Sequence, residues 1–345
     1  MDNFFKNKCL FLNFINSFIF FLFSFNFLFA TDLTESNNTV VKPNCLLYGN
    51  CQSGTLYKYL KTNYPDMYNY NYIINWKKLK DKDYVFPAEI AKNADIFIYQ
   101  PLKNHGNLDT DFIKNNLLKK SCVCISMPYI LFLGYFPDYV HPDERNDKTK
   151  SKKYTFGAFP YGHGQLNKLI LKNCYTINEI IELSRKDDFL SEDFIWNKLE
   201  TSLQVLRERE KSTDIKIADF IEQNYDKFKL FHSVNHPTNY LYKELIKQVL
   251  LVLHLDTNGV DKNQFFKREV GSVCSNPIIY PCVVKALNLP FNTENTNCLK
   301  KSVTYNQFIE KYFQLLYPEY CKQGVPKIDP PKKLNLDIND HYRHE

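Results

Sequence analysis

The sequence predicts an α/β fold: a parallel sheet flanked by helices, with a largely helical C-terminal part. Three observations carry this. Short, near-continuous apolar runs recur at 45–48, 70–74, 94–99 and 121–126, the pattern of strands buried on both faces. Segments long enough for crossover helices separate them, which favours parallel pairing. From about residue 176 the apolar spacing is mostly helical, broken by one short strand-like run at 229–232.

The chain has 345 residues, 44% of them hydrophobic and 24% charged, which is the balance of a globular protein with a sizeable core. Its formal charge of +6 is not gathered into one block, so nucleic acid is not an implied partner. The N-terminus is different in kind. Lys6 and Lys8 precede an uncharged, Phe- and Leu-rich run over 9–30, which ends in a small residue, Ala30. Residues 1–30 therefore read as a signal peptide cleaved before Thr31, or as a membrane anchor, although Asn13, Asn16, Ser17, Ser24 and Asn26 weaken the anchor. Either way the remainder is expected in the secretory pathway, extracellular or periplasmic. A sequon, Asn37-Asn38-Thr39, lies in the polar linker over 31–43. The α/β domain is placed at 44–321 and a flexible tail at 322–345.

Of ten cysteines, nine follow the signal-like segment. An odd number in an oxidising compartment implies one free thiol, and Cys51 is the candidate. Cys122 and Cys124 alternate on one strand and should share a core-facing side. Cys274, Cys282, Cys298 and Cys321 form no C-x-x-C pair, so disulfides are expected there rather than zinc.

Taken in order, strand 45–48 ends in a Gly49-Asn50 turn, and Leu56, Tyr59 and Leu60 then repeat at helical spacing. Cys51 sits at this helix N-terminus, where unpaired N–H groups and the helix dipole favour thiolate and hold an oxyanion. Its alternative is a small buried residue in a turn. Strand 94–99 ends at Gln100-Pro101, helix 109–120 is capped near Asp109 or Thr110, and strand 121–126 ends at Met127-Pro128. An aromatic stretch over 129–138 and a basic loop over 145–153 follow. Thr176 with Glu179 makes a capping box for a helix over 177–185. Helices are expected at 188–210 and 213–225, and a fifth strand at 229–232. Pro237 suits the first position of a helix reaching about residue 254. A second capping box, Thr304 with Gln307, precedes a helix over 308–317.

Parallel sheets bind ligands beyond the carboxyl ends of their strands. The residues there are Gly49, Asn50, Cys51 and Gln52, then Gln100, then Ser126, then His232, Asn235 and His236. This set suits acyl transfer. Cys51 would attack the carbonyl, with its own N–H and the amides of Asn50, Gln52 or Gln100 holding the oxyanion, and His236 would move the proton. As an alternative, His236 is an N-cap. His163, in Tyr-Gly-His-Gly, reads as a surface-loop histidine or, alternatively, a substrate contact, and His141, His254, His341 and His344 read as surface-loop histidines. Arg145, Lys148, Lys150, Lys152 and Lys153 would hold the phosphates of a nucleotide-bearing donor, or an acidic glycan, unless the loop is merely solvated. The aromatic run 129–136 lines a sugar or pantetheine pocket or belongs to the core. No P-loop, G-x-G-x-x-G or H-E-x-x-H motif is present.

Five pieces in order carry a family resemblance. They are Tyr-Gly-Asn-Cys-Gln52, Ala-Asp-Ile-Phe-Ile-Tyr-Gln-Pro101 and Ser-Met-Pro-Tyr-Ile-Leu-Phe-Leu-Gly-Tyr-Phe-Pro-Asp138. Arg-Glu-Arg-Glu210 with Asp214 and Ile-Ala-Asp219, and Leu-Phe-His-Ser-Val-Asn-His-Pro-Thr238, complete the set. The chain resembles the WcbI-type polysaccharide-biosynthesis family of coenzyme A-binding capsular acetyltransferases, with a fold related to GSCFA and SGNH-like hydrolases. The resemblance implies an O-acetyltransferase that uses acetyl-CoA as donor and a glycan as acceptor, with no metal. It supports Cys51 and His236 as the acting pair, with Gln52, Gln100, Asp138 and Asn235 lining the site. On that reading Arg145, Lys152 and Lys153 meet the donor. Because acetyl-CoA is cytosolic and the N-terminus looks exported, an SGNH-like carbohydrate esterase or deacetylase is the alternative. A non-catalytic glycan-binding protein is the third.

Overall fold

The computed structural model describes residues 41–316, apart from 80, 82, 173, 174, 272–274 and 292. The signal-like segment, the sequon, most of the linker, the tail, Cys174, Cys274, Cys321, His341 and His344 lie outside the described residues.

Strands β1 (Asn44–Gly49), β2 (Asn69–Ile74), β3 (Ile96–Tyr99) and β4 (Val123–Ser126) form one parallel sheet in the order β2-β1-β3-β4. Alternation within each strand explains the unbroken apolar runs. Cys45, Leu47, Ile96, Ile98 and Ile125 face a large core cluster, whereas Leu46, Tyr48, Phe97 and Tyr99 face a smaller one. Helix α1 (Cys51–Asn63) covers the large side through Leu56, Tyr59 and Leu60. The other side carries a thin layer, built from α2 (Asn75–Lys78), α3 (Ala88–Lys92) and α4 (Thr110–Asn116) with Phe86, Leu102 and Leu108. Helix α4 stops earlier than its sequence pattern because the chain must turn into β4. The N–H groups of Leu117 and Leu118 both reach the Ile113 carbonyl, and Cys122 N–H closes a turn on Lys119.

After β4 the aromatic stretch runs to a small ladder, β5 (Tyr139–Val140) with β6 (Gly162–His163), which brackets the basic loop. Helices α5 (Gly164–Lys172) and α6 (Ile177–Ser184) follow, and the Thr176–Glu179 capping box forms as expected. Helix α7 (Glu192–Glu210) starts later than residue 188 because the Ser191 hydroxyl caps it. Helix α8 (Ala218–Asn224) is also shorter than its pattern, since the buried Glu210 carboxylate accepts the N–H groups of Ile217 and Ala218 and fixes where the helix begins.

The expected fifth strand does not join the parallel sheet. The chain turns at Val234-Asn235 and folds back, so that β7 (Phe231–Ser233) pairs antiparallel with β8 (His236–Pro237). Pro237 therefore lies in a hairpin rather than opening a helix. Helix α9 (Asn239–Val252) begins after Thr238, whose N–H and hydroxyl reach back to the carbonyls of Leu230 and Lys229. The C-terminal part adds α10 (Pro281–Ala286), the hairpin β9 (Asn295–Cys298) and β10 (Lys301–Thr304), and α11 (Tyr305–Leu316). The Thr304–Gln307 box is present at the last of these.

Two cysteine expectations fail. Strand β4 is a sheet edge, so Cys124 is exposed and Cys122 only half-buried, not packed in the core. Cys45, Cys122, Cys124 and Cys282 are all unbridged, so Cys51 is not singled out by pairing the others. Cys45 and Cys282 behave as small core residues. Among the described residues, no helix is long and apolar enough to cross a membrane.

Candidate active site

The site starts from the β1–α1 turn. The Asn50 side chain accepts the Gln52 N–H at 2.8 Å and caps α1, placing Cys51 at the first helical position. The Tyr72 hydroxyl from β2 donates to the Asn50 carbonyl at 2.7 Å and pins the cap from outside. Gly49 is required by contact: a Cβ there would lie 2.1 Å from Ser53 Oγ and 2.7 Å from Gln100 Oε1. The half-buried Cys51 Sγ lies 3.6 Å from His236 Nε2 on the β7–β8 hairpin.

The other ring nitrogen of His236 faces two hydroxyls. Nδ1 is 2.8 Å from Tyr161 Oη and 2.9 Å from Ser233 Oγ, and the Ser233 hydroxyl donates to Tyr161 Oη at 2.8 Å. Both Tyr161 and Ser233 are buried. Nδ1 thus meets hydroxyls where many catalytic histidines meet a carboxylate. Burial, reinforced by the nearby His232, pulls the His236 pKa down to about 4, so the imidazole is neutral at neutral pH. With Nδ1–H donated to a hydroxyl, the Nε2 lone pair faces Cys51 and can take its proton.

Two buried glutamines hold these pieces together. Gln52 Nε2 donates to the carbonyls of Ile130 (2.8 Å) and Asn235 (2.9 Å), while its Oε1 accepts Ile130 N–H (3.1 Å) and Gln100 Nε2 (3.0 Å). Gln100 Nε2 also reaches the Pro128 carbonyl, and its Oε1 accepts the Asn50 N–H at 2.8 Å. All four hydrogen-bonding positions of Gln52 are therefore filled. This corrects the oxyanion expectation for Asn50, Gln52 and Gln100. The Asn50 N–H is held by Gln100, the Gln52 N–H by Asn50 and the Gln100 N–H by the Tyr48 carbonyl. The side-chain amides of Gln52 and Gln100 are bonded as well, so these two residues build the site without presenting donors to it, and Asn50 is held through its backbone N–H and Oδ1.

Asn235 rims the site, half-buried, with Nδ2 3.4 Å from Tyr129 Oη and Oδ1 3.4 Å from Tyr161 Oη. Arg209 fixes Tyr129 by donating to its carbonyl at 2.8 Å and stacking 4.9 Å from its ring.

Other expected site residues are engaged elsewhere. Ser126 gives its N–H and hydroxyl to Asp214 at 2.7 and 2.6 Å, and its carbonyl accepts the N–H groups of Asp214 and Ile215. That clasp ties β4 to the segment before α8. His232 Nε2 pairs with Glu269 at 3.0 Å, on the alternate side of β7 from Ser233. The buried Asp138 accepts Gln165 N–H at the start of α5 and the Tyr280 hydroxyl at 2.8 Å, and so caps a helix. Arg145 makes a two-pronged pair with Asp143 at 2.7 and 2.8 Å. Lys152 and Lys153 are exposed in the same loop, and the Phe156 ring packs at a tilt against Trp76, just past β2, with centroids 5.2 Å apart. Since Ile74 is in register with Gly49, this contact brings the loop to the sheet edge that carries Cys51.

His163 is not a surface residue: it is buried, 3.0 Å from Tyr280 Oη, and burial pulls its pKa to about 3. His141 and His254 are exposed as expected. Tyr161 and Ser233 were not singled out beforehand. Tyr161 lies two positions before His163 and Ser233 three before His236, and only the folded contacts bring both to the His236 ring.

Replacing Gln52 with Leu should destabilise the fold by about 3 kcal/mol, because it strands the Asn235 and Ile130 carbonyls and the Gln100 amide. Urea denaturation measures this, and a loss below about 1 kcal/mol would show the network to be replaceable. A second expectation concerns Asp138, whose carboxyl is raised from 3.8 to about 7 by burial, against the Tyr280 hydroxyl, the Gln165 N–H and Lys168. The folded state keeps a proton that the unfolded state has lost across that interval. Stability relative to Asp138→Asn should therefore fall by about 1 kcal/mol per unit as pH rises from about 4 to about 7, then level off. A constant difference in thermal unfolding across the interval would contradict it.

The sequence model of the family described as "Polysaccharide biosynthesis enzyme WcbI" matches residues 44–258, over half of the chain. A solved structure described as native WcbI, a novel polysaccharide biosynthesis enzyme, without a disulfide bond between coenzyme A and one of its cysteines, superposes with a TM-score of 0.63. It is 18% identical, and the match covers 83% of this chain and 91% of that one; at this identity it shows the shared fold. No curated protein matches the chain. The chain belongs to the WcbI family of polysaccharide biosynthesis enzymes.

Proposed function

We propose that this protein transfers an acyl group, acetyl carried by coenzyme A, to a hydroxyl of a glycan, with Cys51 as nucleophile and His236 as the proton carrier. The observation that carries the reading is the Cys51 Sγ to His236 Nε2 approach of 3.6 Å beside a helix N-terminus, with the imidazole neutral. The similar WcbI structure is described in terms of coenzyme A and a cysteine, which supports Cys51 as the residue that meets the donor. With Arg145 engaged by Asp143, the exposed Lys152 and Lys153 are the loop cations suited to the donor's phosphates. Residues 1–30 support a secretory location, to which the donor has to be delivered across the membrane.

The thioester supplies the activated acyl group. His236 Nε2 takes the thiol proton as Cys51 Sγ attacks, and returns it to the departing sulfur of the donor. In the second half it accepts the proton of the glycan hydroxyl while oxygen attacks the acyl-cysteine, and gives that proton to Cys51 Sγ. Tyr161 and Ser233 hold Nδ1 through both halves. They stabilise the transient imidazolium less than a carboxylate would, and the resting imidazole is neutral.

The test is acetyl transfer from acetyl-CoA to a capsular-type polysaccharide. Cys51→Ala should abolish turnover, and His236→Ala should lower kcat/KM by about 10²- to 10⁴-fold. Because His236 is protonated only below about 4, the acid limb of kcat/KM should lie there rather than near 6.5. Full transfer by Cys51→Ala would overturn the nucleophile. Hydrolysis of small acetyl esters without coenzyme A, together with no thermal stabilisation by coenzyme A, would select the esterase instead.

A further inference from the structure

Two aromatic rings stand in water beside the hairpin that carries His236. Phe228, just before β7, and Tyr240, in the first turn of α9, stack with centroids 4.4 Å apart and planes 18° from parallel, yet remain 39% and 51% exposed. Since each ring covers one face of the other, water meets the outer faces and edges of a two-ring slab. Within the hairpin, Ser233 is in register with His236 and shares its side, towards Cys51, whereas His232 points to the other. Glu269 links the two features: it bonds His232 and the chain neighbour of Tyr240.

The polar groups here are fixed in place. Asn239 Nδ2 donates to the carbonyls of Phe266 and Arg268, each at 3.0 Å, and its Oδ1 accepts the Val270 N–H at 3.1 Å. Gly271 then lies directly on the hairpin, where a Cβ would come within 1.9 Å of the Pro237 carbonyl oxygen. This clamp sets Glu269. Its Oε2 accepts from His232 Nε2 at 3.0 Å and from the Asn239 N–H at 3.1 Å, while Oε1 has no hydrogen-bond partner among the described residues and the side chain is 48% exposed. Lys229, the chain neighbour of Phe228, is half-buried, and its carbonyl accepts the Thr238 hydroxyl at 2.8 Å. Its amine also has no hydrogen-bond partner among the described residues, although it lies near enough to Glu269 to feel the carboxylate.

We propose that this cluster is a glycan subsite, in which a pyranose ring lays its C–H face on the Phe228–Tyr240 slab while Glu269 Oε1 accepts from its hydroxyls and Lys229 Nζ donates to them. The match is chemical. A sugar ring has an apolar face and a rim of hydroxyls that both give and take hydrogen bonds, so it suits an aromatic surface framed by a fixed acceptor and a donor. Two rings are too small an apolar patch to hold a protein partner or a lipid surface. The position fits as well, because His232 and His236 leave opposite sides of one hairpin, and an extended glycan can engage both. The inference rests on the acceptor being a glycan, and adds where its chain is held away from the reacting hydroxyl.

Binding of the full chain to an array of defined hexose-, hexosamine- and uronic acid-containing oligosaccharides, read without any acyl donor, tests this. Tyr240→Ala should weaken the binding seen for the parent by about tenfold or more, whereas Tyr240→Phe, which keeps the ring, should bind like the parent. Lys229→Met, which keeps the stem and removes the amine, should weaken it by about fivefold. Equal binding by Tyr240→Ala and the parent overturns the subsite, as does a parent that binds no oligosaccharide on the array. Acetyl transfer is read separately. A protein that transfers acetyl but fails these tests loses the subsite and keeps the transferase, and one that binds through Tyr240 but transfers nothing does the reverse.

Discussion

The amide pair of Gln52 and Gln100 is the constraint on which the site depends. Gln52 is the chain neighbour of Cys51, and its side chain holds the carbonyl of Asn235, the chain neighbour of His236. The nucleophile candidate and its imidazole are thus positioned by one side chain between them. Gln100, at the end of β3, closes the arrangement by holding both Gln52 and the backbone of the cap residue Asn50. Each such hydrogen bond contributes about 1 kcal/mol net, whereas leaving a buried partner unmade costs more, so the network acts as a specification of geometry.

Around this amide core the five sequence pieces divide into those that touch the site and those that hold it. Tyr129 and Asn235 rim it, and Arg209 holds Tyr129. Arg207 pairs with Asp219 and Glu222, Glu210 caps α8, and Asp214 clasps Ser126. A motif dense in charge is therefore mostly carpentry. The site itself is lined by hydroxyls, amides and one neutral imidazole.

What the sequence made legible was what local physics decides. Strand runs were readable because both faces of the sheet are covered, and the two capping boxes because their partners are three residues apart. The Cys51 turn was readable for the same reason. Pairings across long separations were not. Ser126 and Asp138 stand where site residues should stand, yet Asp214 and Tyr280 claim them, and no spacing rule announces that. His232 and His236 looked equivalent in the sequence. The turn at Val234-Asn235 sends one to Glu269 and the other to Cys51. The same turn removed Pro237 from its helix and kept the fifth strand out of the sheet. Tyr161 reaches Ser233 across 72 positions of chain and could be recognised only once the hairpin was folded.

The separation between the two halves of the dyad carries a consequence for biosynthesis. Cys51 and His236 are 185 positions apart. On the ribosome the helix that bears the thiol emerges long before the imidazole of His236, and before Tyr161 and Ser233 as well. Chains are made at about 5–20 residues per second, so the nascent protein passes through an interval of seconds in which its cysteine has no proton acceptor. The Cys51–His236 contact therefore forms only when the β7–β8 hairpin docks, and a chain stalled before it carries the thiol without the imidazole.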